Sequence, residues 1–272
     1  MVLADHTTLR VGGPAARFVE VEKPDEVVEV VAAADREGEP VLILGGGSNL
    51  VVSDDGFSGT VVRMTTHGLH VETTSDVVLV SAQAGEDWDE LVALSVAEGW
   101  SGLETMSGIP GLVGATPIQN VGAYGGEVAE TITNVTVYDR RSGATRSMMP
   151  PECGFTYRNS VFKGSDRYVV LDVTYTLETS SLARPIRYDE LRRALGAEAG
   201  GRHPLTAVRE AVLGLRRRKG MVLDPADPDT ASAGSFFINP IVPLAQVADL
   251  PAEVPRWPQS DGNVKISAAW LI

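Results

Sequence analysis

Cysteine, long apolar runs and positive charge are scarce in this sequence. Its 272 residues include one cysteine, Cys153, which excludes an internal disulfide and any metal cluster built from several cysteines. No stretch reaches about 18 uninterrupted apolar residues, so nothing predicts a membrane span. Residues 1–10, MVLADHTTLR, have neither a basic cluster nor an apolar core and therefore predict no signal peptide. Together these absences predict a cytoplasmic chain.

The shortage of positive charge bears on which classes of molecule this protein can bind. Lys and Arg number 23 against 36 Asp and Glu, which gives a net charge of −13. Because binding to nucleic acid needs a basic face that releases counterions, this balance argues against a nucleic-acid partner. The four histidines show no metal-ligand spacing, so no metal site is predicted. The cationic run 216–219 stands out against the acidic background and is a candidate anion contact.

Length and composition indicate a globular protein of more than one domain. With 43% hydrophobic and 22% charged residues, a chain of this length can bury roughly 70–75% of its unfolded surface. Strand and helix patterns alternate over 17–64 and again over 77–99. A glycine-dense segment and three runs typical of antiparallel strands follow. The composition turns polar around 179–185, which predicts a domain boundary there.

A first glycine-rich turn lies in VLILGGGSNLVVSDDGFSGTVV, residues 41–62, and raises the question of a Rossmann unit. In that unit the turn opens a helix, and a third glycine follows the second by three residues. Leu50 stands in that place here and no helical period follows, so the Rossmann interpretation fails. The turn can still bind phosphate through successive N–H groups, helped by the Ser48 hydroxyl and Asn49 amide. A tight strand connection that needs positive φ is the alternative.

A second cluster, SGIPGLVGATPIQNVGAYGG, favours ligand binding. Pro110 fits a first helical position, and glycines at 111 and 114 would let a flat ligand approach the backbone. Gln119 and Asn120 supply amides suited to the hydrogen-bonding edge of a heterocycle. Close packing of the loop could explain three of its glycines more readily than all six: Gly108, Gly111, Gly114, Gly122, Gly125 and Gly126. Two such turns outside a Rossmann unit point to a flavin.

Six sequence blocks in a fixed order carry a resemblance to a known family. They are LRVGGPAARF, LILGGGSNLV, SGIPGLVGATPIQNVGAYGGEV, YRNSVFKG, LRRRK and AGSFFINPIV. Over essentially the whole chain from Thr8, they resemble the UDP-N-acetylenolpyruvoylglucosamine reductase (MurB) family. The resemblance implies an α+β fold with a two-lobed FAD-binding domain of the vanillyl-alcohol-oxidase (PCMH) type, its lobes at 1–66 and 67–182. A smaller α+β substrate-binding domain would follow at 183–272.

The same resemblance implies an oxidoreductase and its cofactors. NADPH would reduce bound FAD, which would pass hydride to the enolpyruvyl group of UDP-N-acetylglucosamine enolpyruvate, giving UDP-N-acetylmuramate for peptidoglycan. A monomer with this small-molecule substrate as its partner is expected. The expected cofactor contacts come from the two glycine-rich segments: Gly45, Gly46, Gly47, Ser48, Asn49, Gly108, Ile109, Pro110, Gly114, Ala115, Gln119, Asn120, Gly122, Ala123 and Tyr124.

The chemistry of this reaction needs a fixed cation and an acid. Hydride arriving at the enolpyruvyl methylene leaves negative charge on the neighbouring carbon and its carboxylate. Arg158 in FTYRNSVFK can pair bidentately with a carboxylate and stays charged at any working pH. A surface or lobe-bridging arginine is the alternative, and the resemblance favours a catalytic role. Ser235 in AGSFFINP is by default a turn or cap hydroxyl, and the resemblance implies that it donates the proton.

Four further residues are expected to contact the substrate or NADPH. Lys219 and Arg216 lie near the end of the predicted helix TAVREAVLGLRRRKG, where the helix dipole alone favours cations. The resemblance implies in addition that they contact the anionic substrate or the NADPH phosphates. Tyr188 in RPIRYDEL is similar to a family tyrosine at the diphosphate, and Asn239 in FINP to a substrate-binding asparagine. Family members commonly carry lysine in FFKNP where this chain has Ile238, which predicts a weaker anion contact there.

The end of the chain leaves two alternatives open. The apolar run VKISAAWLI predicts that the chain stops within an element, and the family's third catalytic residue, a glutamate, belongs to a segment beyond it. None of Glu190, Glu198 and Glu210 lies in a matching motif. The alternatives are a catalytically incomplete fragment that binds FAD and UDP-sugar, and another FAD oxidoreductase of the same superfamily.

Overall fold

The computed structural model describes residues 1–198, 200–232, 237–248 and 250–272. The chain divides into two units, Met1–Ser232 and Ala233–Ile272, and each is described by itself. The expected lobe boundary at 66/67 and domain boundary at 182/183 stay predictions.

A small parallel sheet with one crossover helix forms the N-terminal part of the first unit. Its elements are β1 (Ala15–Val21), α1 (Pro24–Glu37), β2 (Val41–Leu44) and β3 (Phe57–Met64). The strand order is β1-β3-β2, with β3 in the centre. Helix α1 starts at Pro24 and ends at Gly38, whose φ of +68° suits glycine, as its sequence predicted. Its apolar face is fully buried: Val27, Val31 and Ala34.

A six-stranded antiparallel sheet forms the second layer of the same unit. The elements from here to its end are β4 (Leu69–Thr73), β5 (Val77–Gln83), α2 (Trp88–Ala97), β6 (Trp100–Ser101), β7 (Gly122–Ala123), β8 (Gly126–Glu127), β9 (Ile132–Asp139), β10 (Ala144–Met148), α3 (Pro150–Cys153) and β11 (Tyr168–Thr179). The strand order is β10-β9-β11-β5-β4, β6 pairs with β11, and β7 and β8 form a separate hairpin. The predicted antiparallel strands are therefore confirmed.

Two buried aromatic residues fix the second glycine-rich segment to the core. The Trp88 and Tyr175 ring centroids lie 5.9 Å apart, and both side chains are almost fully buried. Trp88 Nε1 donates to the Met106 carbonyl at 3.2 Å, and Tyr175 Oη hydrogen bonds with Thr116 Oγ1 at 2.9 Å. Both rings thus use their polar ends to hold loop segments, which is how buried Trp and Tyr usually satisfy them.

Two helices complete the first unit, α4 (Asp189–Leu195) and α5 (Leu205–Arg217). The predicted apolar face of α5 is confirmed, because Val208, Val212 and Leu215 are buried. Arg209 of α5 donates from both terminal nitrogens to the Asp89 carboxylate of α2, at 2.6 and 2.9 Å. The segment following β11 is therefore bound to the core of the first unit by a bidentate ion pair.

The second unit is a small three-stranded antiparallel sheet with one short helix. Its elements are β12 (Ile241–Pro243), β13 (Arg256–Pro258), β14 (Asn263–Ile266) and α6 (Ala268–Leu271). The strand order is β12-β14-β13. Its core is aliphatic: Val247, Val254, Val264 and Ile266. Within the described residues of the whole chain, every helix is too short or too polar to cross a bilayer.

An ion pair ties helix α1 to the second sheet and gives a stability prediction. Arg140, just after β9, donates to the Asp35 carboxylate from Nε and Nη2 with distances of 2.6 to 3.2 Å. Both side chains are mostly buried. We expect Asp35→Ala to lower the free energy of unfolding by about 1.5–3 kcal/mol, because the mostly buried guanidinium then keeps only the exposed Asp166 carboxylate, at 3.9 Å, as a charged partner.

The measurement is urea unfolding at neutral pH, with Lys23→Ala, at the N-cap of the same helix, as the matched control. Lys23 makes an exposed ion pair with Glu26 at 3.9 Å, which should contribute less than about 0.5 kcal/mol. Equal effects of the two substitutions would mean that Arg140 and Asp35 contribute no more than a surface pair.

Candidate cofactor and active site

The two glycine-rich segments lie against each other. The first turn comprises residues 45–49 and the second segment residues 107–126. Ser48 Oγ donates to the Pro110 carbonyl at 3.0 Å, and Asn49 Nδ2 to Gln119 Oε1 at 3.4 Å. A Cβ on Gly46 would lie 2.9 Å from Gly111 Cα, closer than real Cβ contacts come. The tertiary structure thus joins two segments that the sequence separates by about sixty residues.

Consecutive N–H groups of the first turn are open. Within the described ranges, those of Gly46, Gly47, Ser48 and Asn49 donate to no other residue. Gly47 has φ +64°, and a Cβ there would run into the His6 carbonyl. Open successive amides form a concavity that binds anions such as phosphate. The loop that follows leads into β3 without a helix, which confirms that this is not a Rossmann turn.

A cavity of about 300 Å³ opens beside this turn. It lies between the N-terminal residues 5–10, Gly45 and Gly46, and the loop 223–231. Thr8 is 9% exposed, and neither its Oγ1 nor His6 Nε2 has a hydrogen-bond partner among the described residues. Both residues line the cavity, and buried polar atoms are normally paired, so these two atoms are candidate contacts for a polar ligand. A cofactor with a diphosphate and a nucleoside fits this donor set.

Several glycines of the second segment serve packing. A Cβ would lie 2.7 Å from Leu213 Cδ2 at Gly108, 2.5 Å from Ala84 Cβ at Gly114, and 2.8 Å from Arg158 Nη1 at Gly122. Gly108 therefore allows α5 to approach, Gly114 allows Ala84, just after β5, to approach, and Gly122 leaves room for an arginine. Close packing explains these three glycines without a ligand.

Pro110 differs from its predicted role at a helix start. The short helical turn nearby is Val113–Ala115, and its cap is Leu112. Pro110 instead supplies the carbonyl that accepts from Ser48. The remaining predicted cofactor contacts of this segment keep part of their surface open to solvent: Ile109, Ala115, Gln119, Ala123 and Tyr124.

Asn120 is buried and uses its amide within the protein. Its Nδ2 donates to Glu127 Oε2 at 2.8 Å and to the Thr156 carbonyl at 3.1 Å, and its Oδ1 accepts from Ala129 N–H at 3.1 Å. Any contact of this amide with a heterocycle would compete with these three hydrogen bonds. Asn120 therefore contributes to the site first of all by holding neighbouring segments.

Arg158 sits on a tight turn that docks against the second segment. Backbone hydrogen bonds in both directions between Thr156 and Asn159 close the turn, and Arg158 itself has φ +53°. Its guanidinium donates to the carbonyls of Asn120, at 3.0 Å, and Gly122. The cation is thereby held on the loop and is not a mobile surface side chain.

Tyr188 and Lys219, both predicted substrate residues, meet at Tyr124. The rings of Tyr124 and Tyr188 are edge to face with centroids 5.5 Å apart, and Lys219 Nζ lies 5.8 Å from the Tyr124 centroid. Lys219 also pairs with Glu190 at 2.8 Å. Burial, and secondly the Glu190 charge, raise the pKa of both tyrosines, so their hydroxyls remain neutral donors.

The other predicted substrate and catalytic residues are placed differently. Arg216 donates to the carbonyls of Gly108, at 3.1 Å, and Met221, at 2.9 Å, and burial lowers its pKa. Asn239, in the second unit, accepts from the Ala268 N–H at 2.9 Å. Both have structural partners within their own units. Ser235 lies outside the described residues.

Three residues of the site were missed by the sequence analysis. Thr8 and His6 lie in the N-terminal segment, which no spacing rule connects with the first turn. Glu127 follows the last glycine of the second segment, and the sequence alone assigns it no role. Their importance comes from contacts over long sequence separations, which a single sequence does not display.

Comparison with known proteins gives the family. The FAD binding domain family matches residues 15–148. UDP-N-acetylenolpyruvoylglucosamine reductases from Thermobifida fusca and Salinispora arenicola are 57% and 56% identical over 99% of this chain and 79% and 76% of theirs. The solved reductase (MurB) from Thermus caldophilus is 29% identical with a TM-score of 0.61, covering 88% of this chain and 74% of that one. Cholesterol oxidase from B. sterolicum, 14% identical over 72% of this chain and 43% of that one with a TM-score of 0.52, shares the fold.

The fold and the site therefore define an α+β flavoprotein with an FAD-binding domain of the vanillyl-alcohol-oxidase type. Within that class, the identity over nearly the whole chain settles the family. The chain belongs to the UDP-N-acetylenolpyruvoylglucosamine reductase family. The fold class and family that the six sequence blocks predicted are both confirmed.

The contact between the two turns gives a paired prediction. Gly46→Ala would place a methyl group against the Gly111 backbone, so one turn must move. Gly45→Ala is the matched control, because its Cβ would lie 3.6 Å from Leu112 Cδ1, an ordinary contact. We expect Gly46→Ala to lower the thermal unfolding midpoint by several degrees, a loss of about 1–3 kcal/mol, and Gly45→Ala to change it little. Equal midpoints for both variants would contradict the close approach.

Proposed function

We propose that this protein is an NADPH-dependent flavoenzyme that reduces UDP-N-acetylglucosamine enolpyruvate to UDP-N-acetylmuramate, a step of peptidoglycan biosynthesis in the cytoplasm. The observation that carries the proposal is the fixed guanidinium of Arg158 beside the second glycine-rich segment, on a flavin-binding fold. Family membership supports the substrate, since the relatives are named as reductases of this compound. The protein acts as a monomer on a small molecule.

The residues of the two segments fit FAD. The open N–H groups of residues 46–49 would hold its diphosphate, and the cavity with Thr8 and His6 would take its nucleoside end. The half-open residues of the second segment would contact the flavin ring. The chemistry that bound FAD would supply is hydride transfer from NADPH to the methylene carbon of the enolpyruvyl group.

Arg158 has the role of stabilising charge that develops during the reaction. Its guanidinium would pair with the enolpyruvyl carboxylate, onto which the carbanion charge spreads. Because two backbone carbonyls already hold the guanidinium, little reorganisation is needed when the charge forms. A preorganised donor of this kind lowers the barrier more than a mobile one.

Ser235 is proposed as the proton donor to the carbon next to the carboxylate. The proposal rests on the family resemblance of the block AGSFFINP. A serine hydroxyl is a weak acid, and it can serve here because the carbanion it faces is strongly basic.

Lys219, Tyr188, Arg216 and Asn239 are proposed to hold the anionic part of the substrate or the NADPH phosphates. Lys219 and Tyr188 are half-exposed on either side of Tyr124, which suits a ligand that enters from solvent. Lys219 would exchange its ion pair with Glu190 for a phosphate oxygen. Arg216 and Asn239 already have hydrogen-bond partners within the protein, so their contacts with a ligand would add to these bonds or replace them.

The decisive test follows flavin absorbance in two anaerobic steps. NADPH should bleach the bound flavin, and the enolpyruvyl substrate should restore its colour. Arg158→Ala should leave the first step unchanged and slow the second by about 10²–10³-fold, because it removes one stabilising donor. Arg146→Ala, at an exposed pair with Glu152, is the control. If NADPH fails to reduce the bound flavin, the reductase proposal is wrong and the protein only binds flavin.

A second prediction concerns the hydroxyl of Thr8. Thr8→Val keeps the shape of the side chain and removes an unpaired buried hydroxyl, so the apoprotein should be as stable as the wild type or more stable. FAD affinity should fall about fivefold to tenfold, the loss of one hydrogen bond of about 1 kcal/mol. Calorimetric titration with FAD measures this, and Thr73→Val on the exposed strand β4 is the control. Unchanged affinity would remove Thr8 from the cofactor site.

A further inference from the structure

Glu127 lies at the junction of the groups that hold Arg158. It stands on β8, directly opposite Gly122 in the β7–β8 hairpin. Its Oε1 lies 3.5 Å from Arg158 Nη1, and its Oε2 accepts from Asn120 Nδ2 at 2.8 Å. One carboxylate therefore holds both the cation itself and the residue whose carbonyl anchors it. Both side chains of the ion pair are largely shielded, with 24% exposed for Arg158 and 33% for Glu127.

The glycine at 122 makes this pairing possible. A Cβ there would lie 2.8 Å from Arg158 Nη1 and 2.9 Å from Glu127 Cγ. The guanidinium and the glutamate stem therefore occupy the volume that any larger residue at 122 would need. The pair is built into the hairpin and is not an accidental surface contact.

Asn120 carries the effect of Glu127 to both ends of the Arg158 turn. Its carbonyl accepts from Arg158 Nη1 at 3.0 Å, and its Nδ2, oriented by Glu127, also donates to the Thr156 carbonyl at 3.1 Å. Asn120 and Arg158 both lie in the left-handed region, with φ of +46° and +53°. Strained positions of this kind persist when surrounding contacts over-determine them, and they concentrate at functional sites.

The orientation of the guanidinium leaves donors for a ligand. Nη1 and Nη2 bind carbonyls and Glu127, while Arg158 Nε donates to no other described residue. We infer that Glu127 is a positioning residue for the proposed reduction: through Arg158 and Asn120 it fixes the guanidinium in the orientation that receives the enolpyruvyl carboxylate. The inference rests on the proposed function.

Two substitutions at position 127 distinguish the contribution of the Glu127 charge from that of its side-chain length. Glu127→Gln keeps the length but turns an NH₂ group toward either Asn120 Nδ2 or Arg158, both donors, so one of the two contacts must break. Glu127→Asp keeps the charge but is too short to reach both partners, and should recover part of the loss. Glu130→Gln is the control, because Glu130 is exposed and pairs with Arg184 at 3.5 Å, away from Arg158.

The first readout is the affinity of the FAD-loaded 272-residue protein for UDP-N-acetylglucosamine enolpyruvate relative to UDP-N-acetylglucosamine, by calorimetry. The ratio isolates the contribution of the enolpyruvyl group, and its loss in Arg158→Ala assigns that contribution to the carboxylate that the guanidinium would bind. Glu127→Gln should lower this preference about tenfold, or 1.4 kcal/mol. The thermal unfolding midpoint of the substrate-free variant should stay within a few degrees of the wild-type value. Arg158→Ala should abolish it, and adding Glu127→Gln to Arg158→Ala should change it less than about twofold.

Additive losses in the double variant, or an unchanged preference in Glu127→Gln, would overturn the positioning role. A wild type without any preference would overturn the proposed function and, with it, the carboxylate contact. A second readout needs no substrate: the guanidinium N–H signals of Arg158 in ¹⁵N NMR, assigned with Arg158→Lys. They should be separate in the wild type and Glu130→Gln and averaged in Glu127→Gln; separate signals in Glu127→Gln would show that Glu127 does not hold the guanidinium.

Discussion

The close approach of two glycine-rich loops is the constraint on which the site depends. Gly46 meets Gly111 at a distance that no side chain would permit, and the Ser48 hydroxyl bonds the first loop to the second. Among the described residues, the N–H groups of Gly46 to Asn49 have no acceptor, while the contact positions the second segment. The same absence of side chains thus supplies both the packing and the anion-binding surface.

Around this contact, charge is organised locally within a strongly acidic chain. Arg158 is held by two carbonyls and Glu127, Lys219 by Glu190, and Arg209 by Asp89. Each of these three cations has an acidic partner, which restricts its side chain before a ligand binds. An anionic substrate would then meet hydrogen-bond donors that are already in place. Its affinity would come from the fixed orientation of these donors more than from the net charge of the protein.

Much of the fold followed from local patterns. Helix α1 begins at Pro24 and ends at Gly38, and the buried face of α5 has the predicted spacing, because caps and amphipathic periods are properties of short stretches. The prediction that the first turn is not a Rossmann turn is confirmed as well, because the missing helical period is also a property of a short stretch. Pro110 was placed at a helix start wrongly: its neighbours suit a turn as well as a helix, and the contact with Ser48 decides for the turn.

By itself, the sequence determined the family, the flavin-binding class and the residue types available for charge stabilisation, since motif order and composition are one-dimensional properties. The tertiary structure alone decided how those residues are used. It assigned Gly108, Gly114 and Gly122 to packing, turned the Asn120 amide inward, and brought Thr8 to the first glycine-rich turn and Glu127 to Arg158. These roles arise from contacts between distant segments, whose geometry depends on the packing of the whole unit.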